Sequence, residues 1–459
     1  MIMGNEQLAR KWYVIIFIML FVGSMTYLCI LNNTDFYYDD AVYWSLGRAC
    51  GWDVRNMAWG FRGWLLPYIF SMCYKFGMMF GSELLGYRIF ASFVFAFTFT
   101  FLFKKIAKIA GFEMSDQDTA VAGGVCGVVF YLFFRGLFVY TLSDFYAFTI
   151  SLMSIILVHD LVEKEEKLYA KGIRSFILGL FLYGAYNIRT IYLFLGLVCL
   201  AVLIALYLLK KRWMHMAVVL PVCLAGMLIC AIPQIVLNYH LSRIYSWWVP
   251  TEGLMLFQLH CGVYTQRYAT YVGDLSQYGM AGRMFFVDKI GEAILQREQI
   301  TEFTSYSQVF KLVLKYPLDF AGIYIRHLLN MLYPIYPAQY IQDIRRDKSL
   351  FLALFYTVLY IASSNFIHSF RLKSSRWIWL GLLLLPCICI LPGAVEIRFF
   401  IALHFVIYFY AFIGIKMWIG RFRENKVRYS LLYLTGFILY IGYAGMLLST
   451  TAYGTATIH

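Results

Sequence analysis

Long apolar runs separated by short polar segments extend along almost the whole chain. A membrane-spanning helix needs about 20 mostly apolar residues, and about eleven runs approach that length. The runs lie near residues 12–31, 84–103, 119–134, 145–160, 175–188, 190–209, 216–237, 350–370, 377–392, 397–418 and 429–448. This pattern predicts an all-α polytopic membrane protein with about eleven transmembrane helices.

The positive charges set the predicted orientation of these helices. Arg10 and Lys11 precede the first run, which places the N-terminus in the cytoplasm. If residues 64–80 also crossed the membrane, the cluster of Lys104 and its neighbours would lie outside, against the positive-inside rule. We therefore expect residues 64–80 to form a helix along the outer membrane surface. The other basic clusters then all lie inside, at 164–174, 210–212, 371–376 and 416–428.

The chain has two long segments predicted to lie outside the membrane and is divided into three predicted parts. Residues 1–237 form a transmembrane core that includes the first outer loop, 32–83. Residues 238–349 form a large outer loop with interfacial helices, among them an amphipathic helix near 319–332, and residues 350–459 form C-terminal transmembrane helices. Loops of this size are usually functional. The sequence thus predicts a multi-pass protein of the cell (plasma) membrane with its active site on the extracytoplasmic side.

Composition excludes other classes of protein. The chain is 61% hydrophobic and only 14% charged, whereas soluble domains carry about 25% charged residues. The net charge of +14 is spread among apolar runs, so no nucleic-acid partner is predicted. The histidines are scattered without metal-ligand spacing, and we predict neither a metal nor a cofactor.

Charged residues cluster at the outer ends of the predicted spans. Ionisable groups at membrane depth cost about 2.5–3.5 kcal/mol, so those kept there are functional candidates by default. These residues are Asp39 and Asp40 after the first span, Arg62 before the surface helix, Asp144 at a span start and Arg189 between two spans. Each also has a structural interpretation. The aspartates can cap helices, Arg62 can reach ordinary lipid headgroups, and Arg189 can belong to a simple turn between two spans.

Further polar residues are candidates for substrate contact because binding residues favour loops. They are Tyr43, Glu252, His260, Arg267, Glu396 and Arg398. For the last two, an ion pair within the protein is the alternative interpretation.

The order of these features resembles integral membrane glycosyltransferases of the GT-C fold, closest to protein O-mannosyltransferases and bacterial aminoarabinose transferases. In that family an acidic pair follows the first span, and a basic residue near a proline opens a juxtamembrane helix. A second aspartate begins the fourth span, and another basic residue stands between spans five and six. The matching residues here are Asp39 with Asp40, Arg62 before Pro67, Asp144 and Arg189.

The resemblance covers roughly residues 12–240 and departs in detail, since the family's acidic pair is usually Asp-Glu and its basic residues are often lysine. It implies an inverting transferase that moves a sugar from a polyprenyl-phosphate carrier to a glycan, lipid or protein acceptor. It assigns Asp39 as the general base, Asp40 and Asp144 as orienting groups, and Arg62 and Arg189 as ligands of the carrier phosphate. A flippase or transporter of lipid-linked sugars and a polysaccharide polymerase or ligase remain alternatives.

Overall fold

The computed structural model describes residues 2–58, 62–112, 114–271, 283–332, 340–341, 349–369, 375–452 and 456–457. Over these residues the chain is almost entirely helical and divides into two compact units. Unit 1 comprises residues 1–128, 137–250 and 372–386, and unit 2 comprises residues 129–136, 251–371 and 387–459.

The helices that build unit 1 follow one another along the first half of the chain. They are α1 (Ile2–Leu31), α2 (Tyr38–Cys50), α3 (Leu65–Met78), α4 (Leu85–Phe97), α5 (Phe103–Ile109), α6 (Asp116–Phe134), α7 (Gly136–Val139), α8 (Asp144–Glu163), α9 (Leu168–Ile188), α10 (Tyr192–Leu209) and α11 (Trp213–Ser242). The end of α6, from residue 129, and Gly136 at the start of α7 belong to unit 2. A five-residue π-helix, Thr98–Leu102, joins α4 to α5, and a short 3₁₀-helix spans Val54–Asn56. Within the unit, α9 packs on α8 and α11, α1 on α4, and α2 on α3.

The contact between α9 and α11 depends on glycine. A Cβ atom added at Gly179 of α9 would lie 1.9 Å from the Cys223 carbonyl oxygen, and one at Gly226 of α11 would lie 2.2 Å from the Phe176 carbonyl oxygen. Apolar helices in a membrane gain little from the hydrophobic effect and associate through close packing at small residues. The two glycines therefore bring the backbones of α9 and α11 into direct contact.

Among the described residues, six helices are long and apolar enough to cross a membrane. They cover Lys11–Leu31, Leu85–Ile109, Asp116–Phe134, Asp144–Glu163, Tyr192–Leu209 and Trp213–Ser242. Shorter apolar helices cover Ala353–Phe366, Trp377–Ile390 and Ile397–Ile413. The helical membrane protein predicted from the sequence is thus supported, whereas the count of about eleven spans stays a prediction. Helix α3 has 14 residues, or about 21 Å, which is too short for a core of about 30 Å.

Unit 2 combines helices with a small sheet. Its helices are α12 (Glu252–Tyr264), α13 (Lys289–Arg297), α14 (Tyr306–Lys315), α15 (Pro317–Met331), α16 (Ser349–Ser369), α18 (Ile401–Ile413), α19 (Ile415–Glu424) and α20 (Lys426–Ala452), with a 3₁₀-helix at Ile397–Phe400. Helix α17 (Ser375–Ile390) ends in this unit but begins in unit 1. A helix is present as α15 where an amphipathic interfacial helix was predicted near 319–332, and its position on the membrane stays a prediction.

The sheet was not predicted from the sequence. It contains β1 (Thr265–Tyr271), β2 (Arg283–Val287), β3 (Tyr340–Ile341) and β4 (Ala456–Thr457) in the order β3-β1-β2-β4. Strands β1 and β2 are antiparallel, as are β2 and β4, while β1 and β3 are parallel. Segment 238–349 therefore holds short strands besides its helices, while the described residues as a whole remain almost entirely helical.

A compact apolar core fixes the helices next to the sheet. Val263, Ile294, Phe303, Leu312 and Phe320 are all buried in one cluster formed by α12 to α15 and their connections. The ring of His327 on α15 adds polar contacts, with its nitrogens each 2.7 Å from a backbone oxygen, of Thr265 and of Leu391.

Candidate active site

Helices α8 and α9 form an antiparallel hairpin with ion pairs at both ends. Asp144, the first residue of α8, pairs with Arg189 directly after α9. At the other end, Asp160 pairs with Lys164 at 2.6 Å and with Arg174 at 3.7 Å. Since α8 has 20 residues and is about 30 Å long, the two groups of charges lie at opposite ends of the hairpin.

The Asp144–Arg189 pair is largely shielded from solvent. The Asp144 side chain is 2% exposed and that of Arg189 is 19% exposed. A buried carboxylate is expensive without a cation beside it, and removing one partner of such a pair costs about 3–5 kcal/mol. The pair therefore fixes the Arg189 guanidinium at the end of α9.

A second, more open ion pair joins Asp39 on α2 to Arg62 before α3. Arg62 Nη2 donates to Asp39 Oδ1 at 2.6 Å, and the side chains are 21% and 32% exposed, respectively. The Arg62 guanidinium also lies 5.4 Å from the centre of the Tyr43 ring, a favourable cation–π distance. The Tyr43 hydroxyl in turn donates to the Ile188 carbonyl oxygen at 3.5 Å. Tyr43 thus links the first ion pair to the residue before Arg189.

The backbone before α3 packs directly on the end of α9. A Cβ atom added at Gly63 would lie 1.8 Å from the Asn187 carbonyl oxygen, so only glycine fits there. Leu65 N donates to Asn187 Oδ1 at 2.8 Å, and Asn187 Nδ2 donates to Gln234 Oε1 of α11 at 2.8 Å. These contacts hold Arg62 and Arg189 on two adjacent segments.

The amide network continues along α11, in a part of the site that was not predicted from the sequence. Gln234 Nε2 donates to Asn238 Oδ1 at 2.9 Å, and Asn238 Nδ2 donates to the carbonyl oxygens of Ser246 and Trp248, each at 2.7 Å. Two amides four residues apart in an apolar helix lie on one face. That spacing was the available signal, because buried polar groups in membrane helices need partners from neighbouring segments.

Asp40 has a different environment from Asp39. Its side chain is buried, and Oδ1 accepts a hydrogen bond from Tyr37 N at 2.8 Å across the first turn of α2. Its backbone oxygen accepts from the Thr141 hydroxyl at 2.9 Å. These bonds favour a role for Asp40 in fixing the start of α2 rather than in touching a substrate.

The residues around Asp39 and Asp40 have two further features, one in the backbone and one in a neighbouring phenol. Tyr38, directly before Asp39, has φ of +42°, a region that costs a bulky residue about 1–3 kcal/mol and is concentrated at functional sites. Burial raises the pKa of the Tyr140 phenol above its ordinary value, and nearby Tyr37 and Asp40 add to the rise. Tyr140 therefore stays protonated beside the aspartate pair at all physiological pH values.

Unit 2 contains three of the other candidate residues, Glu396, Arg398 and Arg267. Glu396 and Arg398 form an ion pair at 2.8 Å with side chains 6% and 7% exposed, so the internal ion pair considered from the sequence is present. The preceding Val395 carbonyl oxygen accepts from Tyr268 N at 2.9 Å, and the adjacent Arg267 is buried on β1.

The remaining candidates have less structural support. His260 is half-buried on α12, where its ring meets that of Phe303 edge-on at 5.5 Å. Burial lowers the pKa of His260, an effect that Glu302 partly opposes. The side chain of Glu252 lies outside the described residues. Over the described parts of both units, no group of three or more His, Cys, Asp and Glu side chains is arranged to hold a metal ion.

In unit 1, by contrast, Asp39, Arg62, Asp144 and Arg189 all lie at or next to helix ends, joined through contacts of Tyr43, Gly63 and the residues before Arg189. Two guanidinium groups with two carboxylates offer anion binding and proton acceptance in one place. Comparison with known proteins does not identify a relative, since no family model, curated protein or solved structure matches the chain.

Proposed function

We propose that this protein is a membrane glycosyltransferase that moves a sugar from a polyprenyl-phosphate donor to an acceptor on the extracytoplasmic side of the membrane. The observation that carries the proposal is the pairing of Asp39 with Arg62 and of Asp144 with Arg189 at neighbouring helix ends of unit 1. The resemblance in order and spacing to GT-C transferases supports the same conclusion.

Arg62 and Arg189 are the proposed ligands of the donor phosphate. Guanidinium groups match phosphate oxygens with several donors and keep their charge at any physiological pH. The carboxylate partners hold both groups in position before the donor arrives. Fixed positive charge then stabilises the negative charge that grows on the phosphate as its bond to the sugar breaks.

Asp39 is the proposed general base because its side chain is 32% exposed, whereas Asp144 is 2% exposed. The acceptor hydroxyl gives its proton to Asp39, and its oxygen forms a bond to the anomeric carbon. The bond from that carbon to the phosphate oxygen breaks, and its electron pair leaves with the phosphate. Attack from the face opposite the leaving group inverts the anomeric configuration. Asp144 and Asp40 act as positioning residues.

The position of these groups favours a transferase over a transporter. Transporters bind substrate near the membrane midplane at interrupted helices, whereas Asp144 begins α8 and Arg189 follows the last residue of α9. Both charges thus lie at the ends of helices and not halfway along them.

The proposal is tested by Asp39→Asn, with Asp53→Asn as the matched control. Asp53 follows the end of α2 opposite to Asp39, is more exposed and pairs with Arg55 at 2.5 Å. Proteoliposomes containing each variant receive a panel of polyprenyl-phosphate hexoses and pentoses labelled in the sugar, with membrane extract as acceptor source. Transfer is measured as label in a product together with release of free polyprenyl phosphate.

We expect Asp39→Asn to lower transfer by about 10²–10⁴-fold, the usual contribution of a general base, while donor binding persists. Asp53→Asn should retain transfer. Full transfer by Asp39→Asn would reject the catalytic assignment. Movement of intact donor across the bilayer without label in a product would support the flippase alternative instead, and long labelled chains would support the polymerase.

A further inference from the structure

A small pocket lies in unit 1 between the C-terminal end of α1 and the first turns of α4. It contains about 290 Å³ of space between atoms, including its open mouth, and its interior has room for about one water-sized group. The lining combines apolar with polar side chains, among them Leu28, Leu31, Leu84, Asn33, Arg88 and Thr141. The pocket is thus amphipathic.

Arg88 is the charged residue of this pocket and is 9% exposed. Its Nη2 donates to Asn32 Oδ1 at 2.8 Å. In the part of the chain that the structure describes, no carboxylate lies within ion-pairing distance of Arg88. The side chain therefore brings a buried positive charge to the pocket and has a neutral amide as its partner.

The position of Arg88 gives its buried charge no clear part in stabilising the fold. Arg88 belongs to α4, within the apolar stretch Leu85–Ile109 that is long enough to span the membrane. Arginines near helix ends usually extend their charge to water or to headgroups at the surface, whereas Arg88 is buried and lines the pocket. An isolated buried charge is costly unless an anion joins it.

We propose that Arg88 and this pocket bind the phosphate of a membrane amphiphile, at a site separate from Arg62 and Arg189. A phosphate oxygen matches the size of the interior, and the guanidinium supplies charge and several donors to it. Asn33 and Thr141 provide polar contacts beside it, while Leu28 and Leu31 accept the first carbons of the apolar tail.

A ligand here would also stabilise the neighbouring turn of the proposed active site. The Thr141 hydroxyl donates to the Asp40 carbonyl oxygen at 2.9 Å. Phe36, another lining residue, stacks on Trp44 with ring centres 5.8 Å apart. Binding at Arg88 is therefore expected to order residues 32–37, which lead into Asp39. The binding proposal itself does not depend on the transferase reaction.

Arg88→Gln tests the proposal because it removes the charge and keeps an amide that can bond to Asn32. The control is Arg48→Gln, an arginine of α2 that is about half-exposed and lies 3.8 Å from Glu83. Delipidated full-length protein in detergent is titrated with phosphatidylglycerol, with a polyprenyl phosphate and with inorganic phosphate, and binding is followed by native mass spectrometry. We expect Arg88→Gln to weaken binding of at least one amphiphile by about tenfold or more, and Arg48→Gln to leave it unchanged.

A second variant keeps the proposal testable if Arg88→Gln fails to fold. Asn33→Asp leaves Arg88 in place and adds negative charge to the pocket lining, so it should weaken the same ligand. Unchanged amphiphile binding by a folded Arg88→Gln or Asn33→Asp protein would overturn the proposal. Inorganic phosphate that competes at the same concentration as the amphiphile would also overturn it, since the apolar lining would then contribute nothing.

Discussion

The closest backbone contact at the proposed site leads to the sharpest structural prediction. In Gly63→Ala, the new Cβ atom would lie 1.8 Å from the Asn187 carbonyl oxygen, whereas ordinary contacts begin at 3.4 Å. The two segments would have to separate by about 1.6 Å (3.4 minus 1.8). Because the obstructing atom belongs to the backbone, no side-chain rotation relieves the clash.

Overpacking of a well-packed site costs about 1–3 kcal/mol, and a clash with backbone belongs at the upper end of that range. The separation also stretches the Leu65 N to Asn187 Oδ1 bond of 2.8 Å and moves Arg62 away from the end of α9. Unfolding of membrane proteins is often irreversible, so the suitable measure is the rate of inactivation. A loss of about 3 kcal/mol that lowers mainly the barrier to unfolding would shorten the half-life about 160-fold.

The matched control is Gly172→Ala on α9, where an added Cβ meets nothing within 4 Å. In a helix this change is expected to stabilise by about 0.5–1 kcal/mol. The half-lives of both variants in detergent at a fixed temperature, together with their donor affinities, test the packing of the two segments. If Gly63→Ala matches the wild type in half-life and donor affinity, the proposed packing of the two segments is wrong.

Further predictions concern the charges. Arg62→Ala should weaken binding of polyprenyl-phosphate sugars about 10–100-fold, as expected for charge-assisted bonds. Arg62→Lys should have intermediate affinity, because it keeps the positive charge but loses the two-pronged guanidinium. Binding of the donor to immobilised protein measures both effects, and equal affinity of both variants and the wild type would contradict the role of Arg62 in binding the phosphate. Asp288 is 1% exposed and accepts two bonds from Arg326, at 2.6 and 3.0 Å, so Asp288→Asn should destabilise the fold by about 3 kcal/mol; an unchanged melting temperature would refute this. Burial lowers the pKa of His260 below its unfolded value of about 6.5, so unfolding takes up a proton and stability should decrease as pH falls from 7 to 5. His260→Gln should reduce that pH dependence, and a wild-type profile that rises on acidification would show the sign to be wrong.

The helices and the ends at which charges meet were predictable from the sequence. Hydrophobic runs fix where helices begin and end, so Asp144 and Arg189 were expected at the same end of two successive helices, and the structure pairs them. A helix is likewise present as α3 where the surface helix was predicted, with Arg62 before it, while its position along the membrane surface stays a prediction. Hydropathy and charge predict helix bounds and orientation because both are properties of a single stretch of sequence about one helix long.

Contacts between distant segments were not predictable. The approach of Gly63 to Asn187 depends on how α3 and α9 pack, which no local pattern specifies. Strand β1 was missed because its polar Gln266 and Arg267 interrupt the apolar pattern, although its aromatic and β-branched residues favour a strand. Arg88 was overlooked because a single charge near the end of an apolar run is usually exposed, and only the structure shows it buried.

The central claim is that Asp39, Arg62, Asp144 and Arg189 face the extracytoplasmic side of the membrane. It is tested by labelling with a membrane-impermeant thiol reagent in a cysteine-free background. Ser45→Cys reports on α2 beside Asp39, and Glu165→Cys reports on the opposite end of the α8–α9 hairpin; both positions are exposed. We predict that intact cells label Ser45→Cys alone and that Glu165→Cys reacts only after permeabilisation. Labelling of Glu165→Cys in intact cells, with Ser45→Cys protected, would contradict the account.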